Sequence, residues 1–382
     1  MPLTERDLAV DKELTEIAGE LPLLALITPV NVPVARRAFF AGEEPTFAYR
    51  ELPDLDAISN RLDKIDISAA DDATVAHLAE ALAKELKLRL ELLRNRDTEQ
   101  AFFVAIELFG HVEDKTLKLA EAILNAPFDR QTPERTLNGS EFAVLAQKEI
   151  DEYRAGYPEL SAKVLVTDSR PGLMVEAGDL YIGVKIRIDI ASIPGLLAHE
   201  IGTHVVTFCN GGAQPLQMLS LGLANYNELQ EAMGVMAEYL TSGLDQGRLR
   251  MLASRVLVAH RRAMGVTFRE AHSDLLERGF RRGEAFTTVM RAYRAGGNTK
   301  DAVYLRGLQR LVDHLRSGAD IEALYVGKIS FESVPLIAEL MNRGVLNKPP
   351  LRPRFLDEPI AQARLAAIKT GEEVLNFGGR DQ

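Results

Sequence analysis

A chain of 382 residues with 46% apolar and 26% charged side chains carries enough apolar material for one large core or two ordinary ones. Its formal net charge of −10 argues against broad electrostatic binding to nucleic acid or an anionic membrane, and its single cysteine, Cys209, excludes a disulfide framework or an all-thiolate zinc site within one chain. No apolar run reaches membrane-spanning length, and the acidic start "MPLTERDLAVDKELTE" lacks the basic lead of a signal peptide, so a soluble, cytoplasmic protein is expected.

In chain order, "DAISNRLDKIDI", "DDATVAHLAEALAKELKLRLELLRNR" and "DTEQAFFVAIELFG" repeat apolar residues at three and four spacing, with Asp or Asp-Thr at their starts. They predict an N-terminal helical region over 1–135. Pro127, Pro133 and the "NGS" at 138–140 mark a loop-rich boundary, after which "EFAVLAQKEIDEYRAGYPEL" resumes helical spacing. The segments "AKVLVTD", "GLMVEAGDLYIG" and "KIRIDI" then alternate apolar with polar residues between Gly and Asp turns and predict a small sheet. From 196 to about 345 the pattern is helical again. The main domain is expected over 136–356, and a proline-rich passage leads into a tail, 357–382, with one last short helix.

The segment "LLAHEIGTHVV", 196–206, places His199 and His204 five residues apart, with Glu200 after the first. Zinc-protease helices carry HExxH, where a spacing of four leaves the two imidazoles about 40° apart, whereas a spacing of five separates them by about 140°. One π-bulge absorbs the extra residue, and Gly202 and Thr203 are poor helix formers suited to it. Two readings stand. In one, His199 and His204 are metal ligands and Glu200 the general base; in the other, an ordinary helix happens to carry two histidines and a glutamate.

A catalytic zinc takes a third protein ligand. Downstream, "NYNELQEAMGVMAEYL" predicts a helix with a buried stripe of Leu229, Met233, Met236 and Leu240. Glu228, Glu231 and Glu238 lie away from that stripe, and each is a candidate ligand or part of a solvated acidic face.

Read together, "HEIGTHVVTFCNGGAQPLQMLSLGLANYNELQEAMGVMAEYL", "TKDAVYLRGL", "LYVGKI" and "RGVLNKPPLRPRFL" resemble two related groups. One is the bacterial QEGLA-motif proteins, which modulate flavohaemoglobin expression; the other is the microtubule-associated tyrosine carboxypeptidases. The resemblance implies a zincin-like α+β fold, predominantly α-helical, with a small sheet beside the zinc-binding helix. It implies Zn2+ held by His199, His204 and Glu231, with Glu200 as base, and a peptide or protein C-terminus as substrate. The chain reads "QEAMG" where QEGLA is usual, so the ligand Glu231 is kept while its neighbour changes from Gly to Ala.

The run "DLYIGVKIRID" is the candidate edge strand for a substrate backbone. A carboxypeptidase also needs a cation for the terminal carboxylate and a donor for the oxyanion. The family-like segment "RAYRAGGNTKDAVYLRGL" offers Arg294, Lys300 and Arg306 for the first and Tyr304 for the second. His77, His111, His260, His272 and His314 lack ligand spacing, Asn210 and Gln214 read as turn residues, and Cys209 reads as a small buried group. The expected activity is zinc-dependent removal of a C-terminal residue; the competing expectation is a regulatory protein that binds zinc without turnover.

Overall fold

Side-chain caps start the helices where the apolar periodicity begins. In the computed structural model, which describes residues 2–130, 133, 135–168, 172–241 and 244–371, Asp54 and Asp72 cap helices Leu55–Leu62 and Ala73–Arg94. Reciprocal capping boxes open Glu5–Glu20, Gly139–Gly156 and Phe268–Glu277. The first forty residues, which carry no clear periodicity in the sequence, also form helices, Glu5–Glu20 and Val32–Phe40.

Among the described residues the short strands are β1 (Thr136–Asn138), β2 (Val164–Thr167), β3 (Leu173–Glu176), β4 (Asp179–Gly183) and β5 (Arg187–Asp189). β3 and β4 form an antiparallel hairpin across Ala177 and Gly178, whose φ values of 49° and 83° suit a tight two-residue hairpin turn. β2 adds in parallel on the other side of β4, and β1 pairs with β5 as a separate two-stranded ladder. The order β2-β4-β3 corrects one expectation: residues 179–183 are the central strand, bonded on both sides, and 187–189 pair with β1. The first part of "DLYIGVKIRID", 179–183, is therefore not a free edge, while 187–189 is bonded to β1 on one side. The edges of the three-stranded sheet, among the described residues, are β2 and β3, and β3 packs against the segment that carries the histidines.

The fold is α+β and predominantly helical, as the sequence predicts. One hydrophobic cluster runs from Val10 through Phe142 and Leu229 to Ile368, so the N-terminal helices share their core with the rest of the molecule. A second cluster gathers Phe39, Phe268 and Phe286 around helix Gln246–Ala263. Two N-terminal carboxylates reach further. Asp11 accepts from the backbone N–H groups of Gln217 and Met218 at 2.6 and 2.9 Å, and Glu85 accepts from that of Asn225 at 2.6 Å. Asn225, with φ 62°, is the residue from which helix Tyr226–Leu240 begins. No helix among the described residues is long and apolar enough to cross a membrane.

Candidate metal centre

The histidine segment is helical in three pieces: α over Ile193–His199, π over Glu200–Val205 and α again over Val206–Gly212. The wide turn is the bulge that the five-residue spacing predicts. Thr203 Oγ1 donates to the carbonyl of Ala198, five residues back, at 3.0 Å. The extra residue rotates His204 back towards His199, leaving the ring centroids 4.9 Å apart with planes at 77°. A methyl at Gly202 would stand 3.0 Å from the Phe355 ring, so a glycine lets the C-terminal segment close on the turn. Asn210 ties that segment further, donating to the carbonyls of Tyr325 and Leu351 and accepting from Leu351 N–H. Gln214 exchanges hydrogen bonds with the backbone of Asn347. Both amides, read from sequence as turn residues, are cross-links.

Helix Tyr226–Leu240 faces this turn, and its stripe of Leu229, Met233, Met236 and Leu240 is wholly buried. Its three glutamates are separated by function rather than shared by solvent. Glu228 accepts from Arg306 and Arg310 at 2.6 and 3.2 Å. Glu238 accepts from His199 Nδ1 at 2.6 Å and from both ends of the Arg248 guanidinium at 2.8 and 2.7 Å. Glu231 meets the histidines: one donor atom each of His199, His204 and Glu231 lies within 4.8 Å of the others. Among the described residues this is the one group of such side chains close enough to share an ion.

The donor chemistry fits a metal. With Nδ1 of His199 directed at Glu238, its Nε2 is left for an ion, the arrangement by which carboxylates orient ligating imidazoles. Nδ1 of His204 faces Gln230 Oε1 at 3.4 Å, and Gln230 is held in turn by Thr207 at 2.9 Å. Burial and the neighbouring His199 push His204 down to about 4, which keeps it neutral as a ligand must be. Burial works to raise Glu231, but Lys300 and the two histidines outweigh it and bring its carboxyl to about 2. Burial raises Glu200, and the carboxylates of Glu231 and Glu238 add to that rise.

The cations around the triad divide sharply. Lys300 Nζ lies 3.2 Å from Glu231 Oε1, and Tyr304 lies beside the same carboxylate and helps to lower it. Arg306 does not join them; its guanidinium is engaged by Glu228 and the carbonyls of Phe109 and His111. Arg294 is 5% exposed and donates to Thr28. Sequence reasoning did not single out Gln230, Arg248, Arg255 or Lys328. The seven-residue interval of Arg248 and Arg255, which puts them on one helix face, and the motif "LYVGKI" were the available signals. Burial pushes the Cys209 thiol up to about 11, so it stays protonated and inert.

Two imidazoles and a carboxylate from neighbouring helices form a donor set that could hold a metal ion, with a further glutamate, Glu200, directly after the first histidine. The chain belongs to the microtubule-associated tyrosine carboxypeptidase family, which matches residues 37–373. It is 30% identical over 167 residues to microtubule-associated tyrosine carboxypeptidase 1 of Mus musculus, an alignment covering 41% of this chain and 34% of that protein. The match thus spans about a third of the length of the curated relative. A crystal structure of a protein described as a lipoprotein, from Colwellia psychrerythraea, matches with a TM-score of 0.46 and 14% identity over 87% of this chain and 69% of the other.

Proposed function

We propose that this protein is a zinc-dependent metallopeptidase that removes a C-terminal residue, tyrosine by analogy with its family, from a peptide or protein in the cytoplasm. The observation that carries the reading is the convergence of His199, His204 and Glu231 within 4.8 Å across a π turn that begins at Glu200. In this reading those three side chains hold the ion. Bound zinc supplies a Lewis-acid charge that polarises a peptide carbonyl. Glu200 takes the proton of the attacking water and later delivers it to the leaving amine; its buried setting favours such two-way transfer. Lys300 holds Glu231, and the Tyr304 hydroxyl, which lies beside that carboxylate, donates to the carbonyl oxygen as charge develops there. Glu238 and Arg248 fix the His199 ring. Arg306, engaged by Glu228 and the carbonyls of Phe109 and His111, serves the fold.

The test compares the parent with Glu200→Gln for zinc content and for trimming of peptides that differ in their last residue. The expected result is equal zinc in both and a loss of turnover in the variant of roughly 10²- to 10⁴-fold. Zinc without turnover in the parent would replace the enzyme with a zinc-binding regulator; absence of zinc from both would remove the centre itself.

A further inference from the structure

Helix Gln246–Ala263 presents Arg248 and Arg255 seven residues apart, on one face beside the centre. Arg248 is saturated by Glu238. Arg255 is not: its side chain is 13% exposed, its nearest carboxylate is Asp301 at 3.9 Å, and Asp301 is already gripped by both ends of Arg291. Arg294 adds a third guanidinium to the same carboxylate's field. Burial, with Arg291 opposing it as a like charge, pushes Arg255 down to about 10. A largely buried guanidinium without a matched acid is costly, and the cost is relieved by an anion that can occupy its fork.

Where that anion would sit is fixed by Tyr304. The ring carries the Arg255 guanidinium 5.0 Å from its centroid, while its hydroxyl lies beside Glu231. Arg255 therefore stands one aromatic ring away from Glu231, the carboxylate proposed as a metal ligand. Three other cations around Tyr304 have nearer carboxylates: Lys300 has Glu231, Arg291 has Asp301, and Arg248 has Glu238. Arg294 also lacks a carboxylate partner, but it is buried and donates to Thr28, whereas part of the Arg255 side chain is accessible.

We infer that Arg255, stacked on Tyr304, is the anchor for the terminal carboxylate of the substrate, and that it makes the site act on chain ends rather than on internal bonds. The inference rests on the hydrolytic reading for its substrate but not for its test. Lys328 is the competing anchor, a lysine set between the rings of Phe208 and Tyr226 at 5.1 and 5.9 Å on the His204 side.

The experiment measures binding rather than turnover, using the zinc-loaded Glu200→Gln protein and a fluorescent peptide ending in tyrosine, as the free acid and as its C-terminal amide. The free acid is expected to bind roughly ten- to a hundredfold more tightly than the amide. Adding Arg255→Gln is expected to bring both to the amide's affinity with zinc content unchanged, and Arg255→Lys to restore part of the difference. The inference is overturned if the unsubstituted Arg255 background binds acid and amide equally, or binds neither. It is also overturned if the preference survives Arg255→Gln or is erased by Lys328→Met instead. Failure of the hydrolytic reading shows separately, as a parent protein that holds zinc and prefers the free acid yet trims nothing.

Discussion

A Cβ built at Gly234 would stand 2.6 Å from Cε1 and Nε2 of His199, so the imidazole occupies the space where other residues carry their first side-chain carbon. Gly234→Ala is expected to displace the ring and weaken zinc binding by roughly ten- to a hundredfold, read by competition with a chromophoric chelator. Loss of the charge on the ring's hydrogen-bond partner, in Glu238→Gln, should cost a similar factor. Lys328 offers a pH-dependent test. Burial lowers it to about 8 from an ordinary 10.5, so between those values the unfolded chain holds more protons and stability rises with pH. Urea titrations are expected to show that rise, up to about 1.4 kcal/mol per pH unit, and Lys328→Met should abolish it. At this scale the sequence was informative where chemistry is contiguous: His199, Glu200 and His204 announce themselves within six positions. Arg255 does not, because an arginine on an amphipathic helix is ordinarily solvated, and only the packing of Asp301 and Tyr304 reveals it as under-paired.

Among the elements, the π turn was legible because two histidines at a helix-breaking interval around Gly202 and Thr203 have one economical geometric solution. It also permits a direct trial. Deleting Gly202 leaves His-Glu-Ile-Thr-His, the interval at which a regular helix sets both imidazoles about 40° apart. That variant is expected to retain zinc while losing thermal stability, because the turn no longer meets Phe355 as before; loss of zinc with the fold intact would show that the bulge positions the ligands in a way a plain helix cannot. The strand order was not legible. Alternation marks 164–167, 173–176 and 179–183 as strands, but nothing in it says that β2 skips its neighbour to pair in parallel with β4. Helix Gly139–Gly156 packs on β2 and β4, a long-range contact that alternation within the strands does not encode.

Across the whole molecule, the N-terminal helices are braces for the site. Their role had no motif, since a lone Asp11 or Glu85 in a helix looks like any solvated acid until its backbone partners are known. Glu85→Ala leaves the N–H of Asn225 and the Arg89 guanidinium without their carboxylate, and should destabilise the fold by about 1–3 kcal/mol in denaturant titration. Asp11→Ala should act likewise at Gln217 and Met218.

These same ties set an order of assembly. Residue 11 must find 217, residue 85 must find 225, and residue 210 must find 351 before the two ligand-bearing helices are fixed against each other. Closures over such sequence distances come late and slowly in folding. A ribosome-bound chain that has already exposed His199, His204 and Glu231 would still lack Leu351, the partner of Asn210, and with it part of the frame that aligns them. Ion capture would mark the end of folding, and in a refolding experiment it would keep pace with the slowest structural phase.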